Sequence, residues 1–274
     1  MNTRKYYKLK EMTSEDVCSA INKNLLDLCR LVGETSHFNF VETQDMFLVS
    51  HGVNHPAYQG VLYCNLSPDE VDEKIDRVIE YFTSRGLLPT WYSHPVSKPN
   101  NLDKCLEAKG FINVASTKAM ACDLNSINFS RKKPEGLVVE YVEDESTLRT
   151  FFDVWTEGNS FPKPLGDVWY KFISETDYGA KSNTVYYLGY LDGLPVATAL
   201  LFMDGSSAGL WWVATLENMK GKGIGTWMTL LPLKDAHEKG YELSVLYATE
   251  LGYPIYKNLG YKEYYTNKLY LLTG

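Results

Sequence analysis

The stretch Val213-Ala-Thr-Leu-Glu-Asn-Met-Lys-Gly-Lys-Gly-Ile-Gly225 decides how this chain reads. An apolar run breaks into a loop holding three glycines, and a helical pattern follows at once. Amides at the start of a helix have no partners inside it and point outward. The helix dipole adds partial positive charge there, and glycine removes the side chains that would hold a ligand off the backbone. Residues Lys220, Gly221, Lys222, Gly223, Ile224, Gly225 and Thr226 therefore form a candidate anion cradle, sized for a pyrophosphate. The spacing does not fit Gly-x-Gly-x-x-Gly, and the loop lacks the Lys-Ser/Thr ending of a nucleotide P-loop.

Working outward, the second half is readable throughout. Leu137–Glu143 alternates like a strand, and Glu145–Glu157 has Leu148, Phe151, Phe152 and Trp155 at helical spacing. Asp167–Ser174 predicts a second helix. Thr184–Leu191 and Pro195–Met203 are strands joined across Asp192-Gly193, a hairpin signal. Gly209–Thr215 is a strand, Gly225–Glu238 a helix with Pro232 inside it, and Glu242–Ala248 a strand. A short helix over Gly252–Leu259 and a closing hairpin, Tyr261–Tyr265 with Lys268–Leu272, complete the order β-α-α-β-β-β-α-β-α-β-β. Asn128-Phe-Ser-Arg-Lys-Lys-Pro-Glu-Gly136, polar and broken by Pro and Gly, reads as a linker ahead of this half.

The cradle, read together with Ile255-Tyr-Lys-Asn-Leu-Gly-Tyr261, resembles the GNAT superfamily of N-acetyltransferases. That family carries an Arg/Gln-x-x-Gly-x-Gly/Ala loop and, later, a Tyr four residues before a Gly-aromatic pair. Lys220 in the first motif position is a conservative departure. The resemblance covers residues 137–274 and implies transfer of an acetyl group from acetyl-CoA to a primary amine by direct attack on the thioester. It implies that the cradle holds the CoA pyrophosphate, with a hydroxyl from Thr226. It implies that the backbone of Val213, Ala214 and Thr215 pairs with pantetheine and stabilises the oxyanion. It also implies that Tyr256 protonates the leaving thiolate, a role open to a phenol that is neutral at pH 7. For the general base the candidates are Glu250, after the strand bordering the cleft, then Glu217 and Glu157, with a water chain as the alternative. Phe161-Pro-Lys-Pro164 would line the acceptor pocket, beside Trp155, Trp169 and Trp211. A different acyl-CoA donor, or a CoA-binding sensor without turnover, stays open.

The first half reads as a worn copy. Glu15–Leu31 is a helix, Phe38–Val41, Met46–Ser50 and Val61–Leu66 are strand-like, and Pro68–Ser84 is a helix with Ser67 as N-cap and Glu70 three residues on. Pro89–Ser93, Leu102–Lys109 and Lys118–Leu124 follow. Leu106-Glu-Ala-Lys-Gly-Phe111 parallels Tyr256–Tyr261 but puts leucine where the phenol stands, and Asn65–Glu70 replaces the cradle without a glycine. The expectation is an α+β chain of two GNAT-like domains, each a mixed, mostly antiparallel twisted sheet flanked by helices. Residues 1–128 form a degenerate domain, 129–136 the linker and 137–274 the catalytic domain.

Length and composition agree. A chain of 274 residues suits two domains, and 45% hydrophobic with 22% charged residues is a globular balance. Met1–Tyr7 lacks a signal-peptide core and no apolar run reaches bilayer length, so a cytoplasmic protein without membrane contact is expected. Five cysteines without close pairs imply reduced thiols. His51-Gly-Val-Asn-His55 has the i, i+4 spacing of metal ligands, but Gly52 and Pro56 argue for a loop, and no metal is expected. Residues 1–136 hold 16 basic and 17 acidic side chains, and residues 137–274 hold 11 and 17. That acidic half argues against nucleic acid and would favour a cationic amine as acceptor. CoA and such an amine are the expected partners, and a homodimer is allowed.

Overall fold

The computed structural model describes residues 6–35 and 38–273; the signal-peptide reading of Met1–Tyr7 lies largely outside them. The first half runs α1 (Ser14–Gly33), β1 (Asn39–Glu42), β2 (Met46–Ser50), β3 (Gly60–Cys64), α2 (Val71–Thr83), β4 (Thr90–Ser93), α3 (Leu102–Ala108) and β5 (Phe111–Asp123). The second runs β6 (Leu137–Tyr141), α4 (Glu145–Gly158), α5 (Lys163–Ser174), β7 (Thr184–Leu191), β8 (Leu194–Met203), β9 (Ala208–Thr215), α6 (Ile224–Glu238), β10 (Leu243–Ala248), α7 (Tyr253–Asn258) and β11 (Lys262–Leu272). Helix α6 passes through Pro232 without interruption.

Mostly antiparallel strands flanked by helices are as expected, and they join into one sheet of order β1-β2-β3-β4-β11-β5-β10-β9-β8-β7-β6. The join is an exchange between halves. Strand β5 pairs antiparallel with β10 (Leu243 opposite Asp123, Ala248 opposite Lys118) and with β11 (Lys262 opposite Ala121, Leu272 opposite Phe111). Strand β11 in turn pairs with β4, Lys268 opposite Ser93. The closing hairpin expected from Tyr261–Tyr265 and Lys268–Leu272 is therefore one continuous strand. Thr266 and Asn267 look like a turn because they are polar, but their backbone groups are paired with β5 at Lys118 and Thr117. Helix α2 starts at Val71, later than expected: Ser67 Oγ donates to the Glu70 carboxylate at 2.8 Å instead of capping an amide.

One apolar core lies between the halves, with Leu26, Val32, Phe47 and Leu62 packed among Phe151, Trp155, Leu200 and Trp212. Helix α1 crosses the second half's strands, and the buried Asn24 there accepts from Trp211 Nε1 at 2.9 Å and donates to Ser207 Oγ at 3.1 Å. Gly209 is required beneath it, since a Cβ would lie 1.9 Å from Asn24 Oδ1. A second core lies under α6 and α7 and takes in Met120 and Cys122 of β5, and a third under α2 and α3 takes in Tyr270 of β11. Among the described residues, no helix is long and apolar enough to cross a membrane.

Candidate active site

Strands β9 and β10 are parallel neighbours that meet only at Ser244 opposite Ala208 and Val245 opposite Gly209. Past Gly209 they part, and Leu210–Thr215 has no β10 partner. On its other side β9 slips register against β8 between Thr198 and Leu200. Trp212 sits in that slip with φ 50°, its carbonyl accepting from Thr198 Oγ1 at 2.9 Å. A non-glycine residue in the left-handed region is held there by its surroundings.

The gap opens into a cavity of about 250 Å³. From the second half it is lined by Trp155, Asn159 and Phe161 of the α4–α5 region, by Leu210–Val213 of β9, and by Tyr247, Thr249 and Tyr256. From the first half come Leu25 and Cys29 of α1, Ala57 and Tyr58 of the β2–β3 loop, Leu62, Tyr92, and Ala115–Thr117 of β5. Asn267 and Leu269 of the exchanged strand β11 close it. Among the described residues, no Asp, Glu, Lys, Arg or His lines it. The cationic acceptor expected from the acidic balance of the second half thus finds no carboxylate in this wall, because those carboxylates lie elsewhere on the chain.

Tyr256 is buried in α7, and its ring meets Tyr261 edge-on at 5.8 Å. Burial pushes its phenol above the ordinary range, so it is a proton donor at neutral pH. Among the described residues its hydroxyl has no hydrogen-bond partner, and it faces the cavity. In the first half the parallel residue Leu106, within α3, is wholly buried in the third core.

The cradle begins after a 3₁₀ turn at Glu217–Met219. Gly221 and Gly223 both have φ 77°, which favours glycine outright. Ile224 is buried and anchors α6. Trp227 is the first residue of the helix whose amide finds a carbonyl, that of Gly223 at 3.1 Å. Gly225 differs from the other two glycines. Its backbone is not left-handed, and a Cβ would meet only ordinary contacts, Ile255 Cδ1 at 3.4 Å and Thr215 Oγ1 at 3.6 Å. Neither conformation nor packing requires a glycine there, and glycine in a helix costs about 1 kcal/mol against alanine. A surface kept bare at that cost fits a phosphate approaching the backbone. Lys220 is turned to Glu217 (2.5 Å), and Lys222 Nζ approaches Met219 Sδ at 3.4 Å.

Sequence reasoning missed the linker's contribution. Arg131, Lys132 and Lys133 share a surface groove with Lys222, Gly223 and Thr226. Arg131 is tied to the Asn258 carbonyl at 3.1 Å, while Lys132 and Lys133 are without an ion pair among the described residues. The signal was present in the Arg-Lys-Lys run, but it took the chain path to bring the run to the cradle. The first-half residues Tyr58 and Tyr92 carried no signal at all. Of the candidate acceptor residues, Phe161, Trp155 and Trp211 line the cavity, and Trp169 lies behind it in the core. The candidate bases are not in the wall: Glu250 is exposed one residue beyond Thr249, Glu157 is exposed at the end of α4, and Glu217 pairs with Lys220.

His51 and His55 are in a loop, as Gly52 and Pro56 imply; His51 Nε2 lies 3.0 Å from the Ala57 carbonyl and its Nδ1 accepts from the Val53 amide. Among the described residues, no group of three or more His, Cys, Asp or Glu side chains gathers as a metal site would.

Residues 203–264 match the family model of the acetyltransferase (GNAT) domain. No curated protein matches the sequence significantly. Similar solved structures include a GCN5-related N-acetyltransferase from Kribbella flavida, 18% identical with a TM-score of 0.68 over 92% of this chain and 95% of that one. Another, from Sphaerobacter thermophilus, is 15% identical, with a TM-score of 0.62 over 84% and 82%. A tandem GNAT protein from the clavulanic acid biosynthesis pathway is 12% identical, with a TM-score of 0.58 over 96% and 98%. Residues 203–264 thus match a GNAT acetyltransferase domain, and over nearly its whole length the chain has the fold of GNAT proteins, a tandem member among them.

Proposed function

We propose that the protein is an acetyl-CoA-dependent N-acetyltransferase with one working site, its catalytic residues in a domain spanning 137–274, behind a degenerate domain at 1–128 and a linker at 129–136. The observation that carries this reading is the unpartnered Tyr256 hydroxyl facing an uncharged cavity at the parting of β9 and β10. The bare N-terminus of α6 supports it from the cofactor side.

The amides of Ile224, Gly225 and Thr226 would hold the pyrophosphate, with Lys132, Lys133 and Lys222 adding charge. The backbone of Val213, Ala214 and Thr215, paired with β8 at Ala214 and Thr215 but open on the β10 side, would align the pantetheine arm and offer an amide to the oxyanion. Tyr256 would give its proton to the departing sulfur. Glu250, next to the wall residue Thr249, would pass a proton to solvent. The small volume favours acetyl over longer acyl chains.

The test is a titration of the full chain with CoA, followed by thiol release from acetyl-CoA in the presence of an amine panel. Saturable CoA binding and amine-dependent thiol release are expected. CoA binding with no amine-dependent release from any acceptor would leave a sensor, and the catalytic reading would be abandoned.

A further inference from the structure

We propose that the acceptor is a small, single-ring aromatic amine that enters uncharged, and that the first half exists to build its pocket. The inference rests on the reading of this cavity as the acyl-transfer site.

Size comes first. An apolar cavity of about 150 Å³ accepts a benzene, so about 250 Å³ leaves room for one ring and the acetyl end of the donor. Shape follows from the rings already there. Tyr58 packs edge-on to Trp212 at 6.1 Å, Trp155 to Phe161 at 5.2 Å, and Trp211 to Tyr247 at 5.7 Å. Another ring extends this edge-to-face pattern at little cost.

Charge decides the class of amine. Among the described residues, the wall holds no carboxylate to pair with an ammonium and no imidazole to deprotonate one. Burying an unpaired ammonium costs several kcal/mol. Aromatic faces attract cations, but an ammonium resting on a ring has no lone pair and cannot attack. Everything titratable in the wall is also kept neutral: burial pushes the Cys29 thiol up to about 12 and the Tyr92 phenol up to about 12. An arylamine arrives neutral at pH 7 because its lone pair is shared with the ring, so it needs no base.

Besides the Tyr256 hydroxyl, the wall holds an amide oxygen with nothing to bind. Asn267 is 5% exposed, and its Oδ1 has no hydrogen-bond partner. Asn267 lines the cavity, so its amide is placed to turn this acceptor toward an amino N–H. A buried unsatisfied acceptor is costly, and a donor from the substrate would satisfy it. In the reaction the amine nitrogen bonds to the thioester carbonyl carbon and the C–S bond breaks. Sulfur leaves with the electron pair and takes the Tyr256 proton. The nitrogen gives up its extra proton through water, restoring the phenol and leaving an amide and a free thiol.

The experiment uses the full chain, acetyl-CoA at saturation, and aniline, benzylamine, cyclohexylamine and spermidine at pH 7. Aniline should exceed each alkylamine in kcat/KM by about 10²-fold or more, since only about one alkylamine in 10³ is neutral there. Asn267→Asp should narrow that gap at least tenfold by offering a carboxylate to an ammonium. Quenching of the wall tryptophans gives a second readout: aniline should quench saturably and spermidine should not. Equal or faster transfer to benzylamine or spermidine overturns the proposal and leaves the acetyltransferase reading standing. If CoA binds but no amine reacts, this proposal is overturned together with the catalytic reading it rests on, whereas transfer to an alkylamine alone overturns only this proposal. Failure of CoA to bind overturns both readings.

Discussion

Tyr58 and Trp212, from opposite halves, both adopt left-handed backbone (φ 58° and 50°) and meet edge-on at 6.1 Å on the cavity wall. Non-glycine residues rarely pay for such a conformation away from functional sites. Tyr58 is held by the Tyr92 hydroxyl, which donates weakly to the Pro56 carbonyl (3.4 Å) and accepts from the Tyr58 amide (3.2 Å). The two halves thus fix one another's irregular segments around the site. Tyr92→Phe should loosen the loop and raise the acceptor KM several-fold while leaving CoA affinity unchanged, measured by steady-state kinetics alongside CoA titration.

Gly225→Ala separates fold from function. The extra methyl meets only ordinary contacts and improves helix propensity, so thermal stability should hold or rise by up to about 1 kcal/mol. CoA affinity should fall at least about tenfold, or roughly 1.4 kcal/mol. Calorimetric titration and a thermal melt on the same sample read both quantities. An unchanged CoA affinity would remove the cradle from the account. Gly223→Ala should instead cost stability as well, because its φ of 77° disfavours any side chain.

The linker cations predict a selective loss. Lys132→Ala with Lys133→Ala should weaken CoA more than 3′-dephospho-CoA, if the two amines reach the ribose phosphate from the groove they share with Thr226. Equal loss for both ligands would mean the cations act only through the general field of the site.

Much of this was legible in the sequence, and the limits have physical causes. The cradle, Tyr256 and the strand order are local patterns, so spacing along the chain carried them. The Lys262–Leu272 strand was misread as a hairpin because its polar middle is buried by an exchange between distant segments. The cavity wall was out of reach for the same reason. Tyr58, Ser116 and Asn267 are far apart in sequence, and only the joined sheet brings them together. The acidic total of the second half carries no position, so it does not say which carboxylates line a pocket.

Stability should depend on pH through two buried imidazoles. Burial lowers His51 and His94 from 6.5 to about 4, and each has one ring nitrogen near a carbonyl, Ala57 at 3.0 Å and Leu62 at 3.1 Å. The unfolded chain takes up these protons first as pH falls, so stability is full above about pH 7 and declines through 6.5 toward 4. The denaturation midpoint should drop between pH 7 and pH 5, and His51→Gln with His94→Gln should flatten that dependence. An equally steep profile in the double variant would assign it to other groups.

The central claim is acyl transfer through Tyr256, and one measurement tests it most directly. The full chain is given acetyl-CoA labelled with ¹³C in the acetyl group and aniline as acceptor. Free thiol and labelled amide are then counted together, for wild type and Tyr256→Phe. The account predicts one labelled amide per thiol, with kcat falling roughly 10²-fold in the variant while the KM for acetyl-CoA stays nearly fixed. Thiol release without amide, or an undiminished kcat in Tyr256→Phe, would contradict it.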